Sequence, residues 1–347
     1  MRKILLLLLA GLQIRAAEAQ FSGHPPYLQK SLSGESLQRV ELETSGGNIS
    51  VYGVPAAEAR LEVYVRGNHD GEGELSKEEI EKRLNEQYDL NISVNDHKLT
   101  AIAKGKSRNM NWRRGLSISF KAYVPQAVSS DLRTSGGNIS LKNLSGATQE
   151  FHTSGGNLDV DLVSGKLTGR TSGGNISLTD SKDDIDLQTS GGNIQAVNCQ
   201  GSIKLGTSGG NLTLRLLKGN VRATTSGGSV VGEAITGELQ TRTSGGNIRM
   251  RDMSCSLSAS TSAGNIDVEM NDAGKYLSLS TSGGNISLLL PQGKGMDLQL
   301  YGEEVKASSL DNFKGQLDGK HIDGAINGGG LPVKVDNSGG RISLSFK

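Results

Sequence analysis

Residues 171–193 read Thr171-Ser172-Gly173-Gly174-Asn175-Ile176-Ser177-Leu178-Thr179-Asp180-Ser181-Lys182-Asp183-Asp184-Ile185-Asp186-Leu187-Gln188-Thr189-Ser190-Gly191-Gly192-Asn193. The phrase Thr-Ser-Gly-Gly-Asn thus returns after 18 residues. It starts at Thr44, Thr134, Thr153, Thr171, Thr189, Thr207, Thr243 and Thr281, with variants at Thr225, Thr261 and Asn337. From Thr134 the successive steps are 19, then six of 18, then 20. A fixed period of this size marks a solenoid.

Each period holds two short alternating runs. Ile176-Ser177-Leu178 and Leu212-Thr213-Leu214 follow the glycine pair; Ile185-Asp186-Leu187 and Ile203-Lys204-Leu205 come about nine residues on. Alternation over so few residues reads as a strand with one dry face. One coil is therefore strand, turn, strand, Ser-Gly-Gly turn. Stacked coils place residues 18 apart side by side as parallel strands, roughly 4.8 Å apart. Ile176, Ile194, Leu212, Val230, Ile248 and Ile266 form one inward ladder; Leu187, Leu205, Ala223, Thr241 and Ala259 form the opposite one. The repeat threonines Thr189, Thr207 and Thr225 lie in phase with the second ladder and face in. The glycines answer either a positive φ or a stack of corners with no room for Cβ. The first glycine is expected to be the more tolerant, since Ala263 replaces it once. The asparagines Asn175, Asn193 and Asn211 are expected to bond local backbone or to form a polar ladder. A propeller blade needs about 40 residues, and a meander needs no fixed spacing. The fold class is all-β: a single-stranded parallel β-helix of about 18 residues per coil, right-handed by expectation.

Composition agrees. Among 347 residues there are 48 Gly but only 6 Pro, with no collagen period, and aromatics are 4%, as suits a slim interior. Lys and Arg number 37 against 36 Asp and Glu, so no basic field for nucleic acid exists. Met1-Arg2-Lys3, the apolar run from Ile4 to Leu9 and Ala17-Glu18-Ala19 make residues 1–19 an expected secretory signal peptide. No later segment approaches 18 apolar residues, so no membrane span is expected. The expected location is the periplasm or the cell surface.

Residues 20–36 are expected to be flexible, 37–130 to form a β-rich N-terminal cap, 131–292 the regular solenoid and 293–347 irregular closing coils. Ser76 and Glu79 make a capping box for a short helix near 77–86. The copy at 337–341 looks like part of a closing coil.

Chemistry-bearing patterns are few. His24, His69, His97, His152 and His321 include no pair at metal-ligand spacing. His321 with Asp311 and Asp323 reads as a chance loop grouping, and Asp183, Asp184 and Asp186 as a solvated acidic spot. Gly-Gly-Asn followed by Ile or Leu lacks the aspartates of calcium-binding nonapeptide repeats. Cys199 and Cys255 lie three coils and two residues apart, too far for a disulfide. The sequons at Asn48, Asn138, Asn175, Asn211 and Asn285 are by-products of the repeat. No catalytic, cofactor or metal residue is assigned. The best local candidate for recognition is the basic loop 104–115, with Lys104, Lys106, Arg108, Arg113, Arg114 and Trp112. Tyr64, Tyr123 and Tyr301 are the other scattered aromatics considered for glycan contact.

Repeated Thr-Ser-Gly-Gly-Asn-Ile/Leu-x-Leu, with Tyr123-Val124-Pro125 ahead of Asp131-Leu132-Arg133-Thr134-Ser135-Gly136-Gly137, resembles the DUF4097 family of exported bacterial β-helix proteins over roughly residues 37–345. The family carries the label "putative adhesin". The resemblance implies a β-helix and brings no catalytic residues. Three functions stay open: a structural or adhesive surface protein, a periplasmic scaffold for an envelope partner, and a polysaccharide-active enzyme. The first is the leading expectation, with a glycan or envelope protein as partner, or self-association through solenoid ends or faces. The enzyme requires carboxylates recurring on one outer face, and the repeat shows no such column.

Overall fold

The computed structural model describes residues 25–68, 75–107, 115–308 and 310–347. Among these are 29 strands and one α-helix. Two compact units result. The first holds the described residues up to Gly146 together with Phe151–Thr153; the second holds Ala147–Glu150 and Ser154–Lys347. The expected signal peptide lies outside the described residues.

The regular coils fill the second unit. Each alternates a four-residue strand (Ile176–Thr179, Ile194–Val197, Leu212–Arg215, Val230–Glu233) with a seven-residue strand (Lys182–Gln188, Gln200–Gly206, Lys218–Thr224, Thr236–Arg242). All pair in parallel at an offset of 18: Ile176 with Ile194, Leu212 with Val230, Leu187 with Leu205, Ala223 with Thr241. Both expected ladders are present and buried. A third inward column went unread in the sequence. Ser181, Cys199, Leu217, Ile235 and Met253 stack inside the corner between the two strands, all buried. Its chemistry changes at every coil, so no repeated residue type announces it.

The Thr-Ser-Gly-Gly-Asn corner is held by three recurring bonds. Thr189 Oγ1 donates to Gly174 O of the preceding coil at 2.8 Å, and Gly192 N donates to Thr189 Oγ1 at 3.3 Å. Asn193 N donates to Asn175 Oδ1 at 2.8 Å. The same bonds recur for Thr207, Gly210 and Asn211. The asparagine series is therefore a side-chain-to-backbone relay. Ser229 keeps it going with its hydroxyl, which accepts from Asn247 N at 3.2 Å. None of these corner glycines has a positive φ. Their reason is contact: a Cβ on Gly192 would lie 2.0 Å from Gly174 O, whereas one on Gly191 would meet nothing nearer than 3.6 Å.

In the first unit, Arg39–Thr44 lies between Lys98–Gly105 and Ser129–Arg133, parallel to both. Ile49–Val54 likewise lies between Leu116–Pro125 and Ile139–Leu144. The intervening chain builds outward by antiparallel pairing of Arg60–Gly67 with Leu116–Pro125 and of Tyr88–Asn95 with Lys98–Gly105. The helix runs Lys77–Gln87, with Ser76 Oγ accepting from Glu79 N at 3.3 Å. Part of 20–36 differs from expectation. Leu28–Ser31 pairs antiparallel with Arg60–Gly67, and Leu32 is buried. A four-residue edge strand held mainly by backbone bonds leaves little pattern to read.

The C-terminal end of the second unit uses the same device. Leu331–Asn337 pairs in parallel with Leu277–Thr281 on one side and with Met296–Tyr301 on the other. Arg341–Phe346 lies between Ile286–Leu290 and Glu304–Ala307. The last coil in sequence is thus not the last in space, which corrects its reading as the closing coil. Chain order cannot reveal an insertion of this kind, because the register depends on which surfaces meet. Asn337 takes the threonine's place, with Nδ2 donating to Gly284 O at 2.8 Å.

Candidate functional site

The seven-residue strands, with the five-residue strand Lys166–Arg170 that precedes them in the stack, present two outward columns beside the glycine corner. One reads Thr168, Asp186, Lys204, Arg222, Gln240; the other reads Arg170, Gln188, Gly206, Thr224, Arg242. Gly206 is the gap. Its neighbours on either side carry Gln188 and Thr224, and the missing side chain leaves a cup of about 240 Å³. Lys204 and Arg222 stand at its rim, with Thr207 beside them. The cup is smaller than sites that enclose drug-sized ligands, roughly 300–1,000 Å³. It suits one polar group or one sugar unit.

The charges here are unevenly matched. Lys204 Nζ lies 2.9 Å from Asp186 Oδ2, and Gln188 Nε2 donates to Asp186 Oδ1 at 2.8 Å. Partial burial pushes the Asp186 carboxyl up. Those two bonds, with the charges of Lys204 and Arg170, outweigh it and hold the group below its ordinary value. Arg170 turns the same way, donating from Nη1 to Gln188 Oε1. Arg222 differs. Its register neighbours are Lys204 and Gln240, and among the described residues it pairs with no carboxylate. Arg242, two residues along on the next strand, is likewise without an ion pair. Like charges directly across neighbouring strands are mildly destabilising. Other arginines on the coils are matched, as in Arg215–Glu233 at 2.9 Å and Arg251–Asp267 at 2.6 Å. The sequence reading did not single out Lys204, Gly206 or Arg222. Reading outward positions at steps of 18 would have shown a glycine between Gln188 and Thr224, beside two adjacent cations.

The earlier candidates fall elsewhere. Within the basic loop, Lys104 Nζ lies 3.2 Å from Glu43 Oε1, and Lys106 Nζ donates to Asn85 O at 2.6 Å. Arg108, Trp112, Arg113 and Arg114 lie outside the described residues, as do His24 and His69. His321 Nδ1 meets Asp318 Oδ2 at 2.7 Å, and Asp323 instead accepts from Tyr301 OH at 3.0 Å. His152 is half-buried, next to the inward Thr153. Asp183 Oδ2 accepts from Gly165 N at 3.0 Å, a bond between coils. Cys199 and Cys255 are free and buried. Burial pushes their thiols up to about 11 and about 12, so neither is a thiolate at neutral pH. Among the described residues no group of three His, Cys, Asp or Glu side chains is placed to hold a metal ion. No described helix is long and apolar enough to cross a membrane.

One aromatic grouping was not visible in the sequence. In the first unit, parallel and antiparallel pairing brings Tyr52, Tyr123 and Arg60 into one row. The two rings stack with centroids 5.4 Å apart, and the Arg60 guanidinium sits 3.6 Å above Tyr123. Lys121 Nζ lies 5.3 Å from both rings. Such cation–π contacts contribute about 0.5–2 kcal/mol each. Because both faces of Tyr123 are covered, it offers a sugar no stacking surface. Tyr64 OH donates to Glu62 Oε2 at 2.9 Å; burial, then that bond, pushes its phenol up to about 12. These tyrosines are structural.

No known family profile matches the chain. No curated protein matches it either. Among solved structures it is similar to a putative cell adhesion protein from Clostridium sporogenes, at 11% identity and TM-score 0.20, covering 92% of this chain and 98% of that one. It is also similar to a putative adhesin from Bacteroides fragilis, at 12% identity and TM-score 0.29, covering 92% and 95%. The fold assignment rests on the strand register.

Proposed function

We propose that this chain is a non-enzymatic, exported β-solenoid acting as a binding or adhesive scaffold of the cell envelope, as its resemblance to the DUF4097 proteins implies. The observation that carries the reading is the outward register of the coils. Side chains 18 residues apart stand side by side on a fixed lattice, and one lattice point is an open polar cup flanked by unpaired arginine. The groups that chemistry would draw on are engaged in holding the coils. Threonine hydroxyls bridge backbone groups, asparagine carbonyls accept backbone N–H, and both thiols are buried. A rigid lattice loses little freedom on binding, which favours weak, repeated contacts. The partner is a glycan or an envelope protein.

The test is a screen of the purified protein against an oligosaccharide panel and envelope extracts, with reducing ends assayed in parallel. Saturable binding without new reducing ends is expected. Cleavage of any polysaccharide would return the chain to the enzyme class.

A further inference from the structure

We propose that the cup at Gly206 binds an acidic sugar, with the carboxylate or sulfate of the sugar seated between Lys204 and Arg222. The inference rests on the binding reading above and names the ligand of the same site. Three observations carry it. First, the cup exists because a glycine stands where the adjoining coils carry Gln188 and Thr224. A Cβ there would meet Gln188 Cγ at 3.6 Å and Thr224 Oγ1 at 3.7 Å, and φ is not positive, so neither steric room nor backbone conformation requires glycine. Second, the rim places Lys204 and Arg222 one strand spacing apart, roughly 4.8 Å. Asp186 pairs with Lys204, but among the described residues no carboxylate pairs with Arg222 or the nearby Arg242. A bound anion would relieve that repulsion, and a guanidinium suits bidentate contact with a planar carboxylate or sulfate oxygens. Third, beside Leu205 the lining includes hydroxyls and an amide, from Thr207, Thr224 and Gln188. Those groups match sugar hydroxyls. The cup's lining holds no aromatic ring for a nucleic-acid base to stack on, and the near-balanced charge of the chain gives no long-range pull on a phosphate polymer.

The experiment is calorimetric titration of the full exported chain with tetragalacturonate, a sulfated chondroitin tetrasaccharide, neutral maltotetraose, inorganic sulfate and a single-stranded oligonucleotide. Either acidic oligosaccharide is expected to bind, more weakly as salt rises, with maltotetraose silent. The two acidic arms tell carboxylate from sulfate. Arg222→Gln and Gly206→Gln, the second filling the cup, should each weaken binding at least about tenfold. Both should keep the parent melting temperature. Arg215→Gln, on the other outer face, should bind as the parent does. Full binding by both cup variants overturns the proposal. So does binding of maltotetraose or the oligonucleotide as tight as that of the acids, or of inorganic sulfate alone, which would mean an adventitious anion only. If no acidic sugar binds while the wider screen finds another partner, this inference fails and the scaffold reading stands. If polysaccharide is cleaved, both fail.

Discussion

The two corners of each coil solve the same turn by different means. The Thr-Ser-Gly-Gly-Asn corner keeps ordinary φ values and brings coils so close that the second glycine's Cα faces the carbonyl below, leaving no room for Cβ. The opposite corner turns by placing a residue in the left-handed region: Asp180, Asn198, Leu216, Ala234 and Asp252, with φ from 49° to 55°. Any L-residue can take that conformation at a cost of about 1–2 kcal/mol. Hence the first corner is nearly invariant in sequence and the second is not. A steric limit at 2.0 Å has no partial solution, whereas a strained dihedral can be offset by packing such as the buried Leu217 and Ile235. The strand Leu116–Pro125 in the first unit supports this reading. There Ile118 occupies the register of the second glycine, and its outward neighbour is the antiparallel Val65 rather than another stacked corner.

The sharpest way to break the comparison is Gly192→Val. With Cβ 2.0 Å from Gly174 O, it should cost about 3 kcal/mol or more. An unchanged urea midpoint would sink the contact explanation. Next comes Thr207→Val, which keeps shape but leaves Gly192 O and Gly210 N without their hydroxyl partner. Burying those groups unpaired should cost about 1–3 kcal/mol, read as a lower melting temperature. At the opposite corner Leu216→Asn should stabilise by roughly 0.5–1 kcal/mol, since asparagine tolerates the left-handed region and Leu216 is 53% exposed. A lower midpoint for that variant would show that Leu216 contributes packing the exposure conceals. Smallest of all, Gly191→Ala should fall within about 0.5 kcal/mol of the parent. Its nearest contact is 3.6 Å, and Ala263 already occupies the same place four coils on. A large loss there would erase the distinction between the two glycines.

The repeat made much of the fold legible. Ile176 and Ile194 could be paired from spacing alone, because an 18-residue coil admits one register that keeps every apolar residue inside. The inward threonine was readable for the same reason, though its bond to the neighbouring glycine carbonyl was not. The cup was less legible. Gly206 looks like one more glycine in a glycine-rich chain until Gln188 and Thr224 are set beside it. Trp112 drew attention by composition and lies outside the described residues, while Arg222 drew none, because its lack of a partner is a property of its neighbours.

By itself the sequence determined the coil: its length, its two strands, its inward ladders and the glycine at its tight corner. These follow from local periodicity and from contacts between residues a fixed step apart. Only the tertiary structure decided that Arg39–Val54 and Leu331–Phe346 are enclosed by strands from elsewhere in the chain. It alone stacked Tyr52 on Tyr123 and opened the space at Gly206. Those outcomes depend on which surfaces meet across long stretches of chain, and the open edge of a coil can be covered equally well by segments from many places in the sequence.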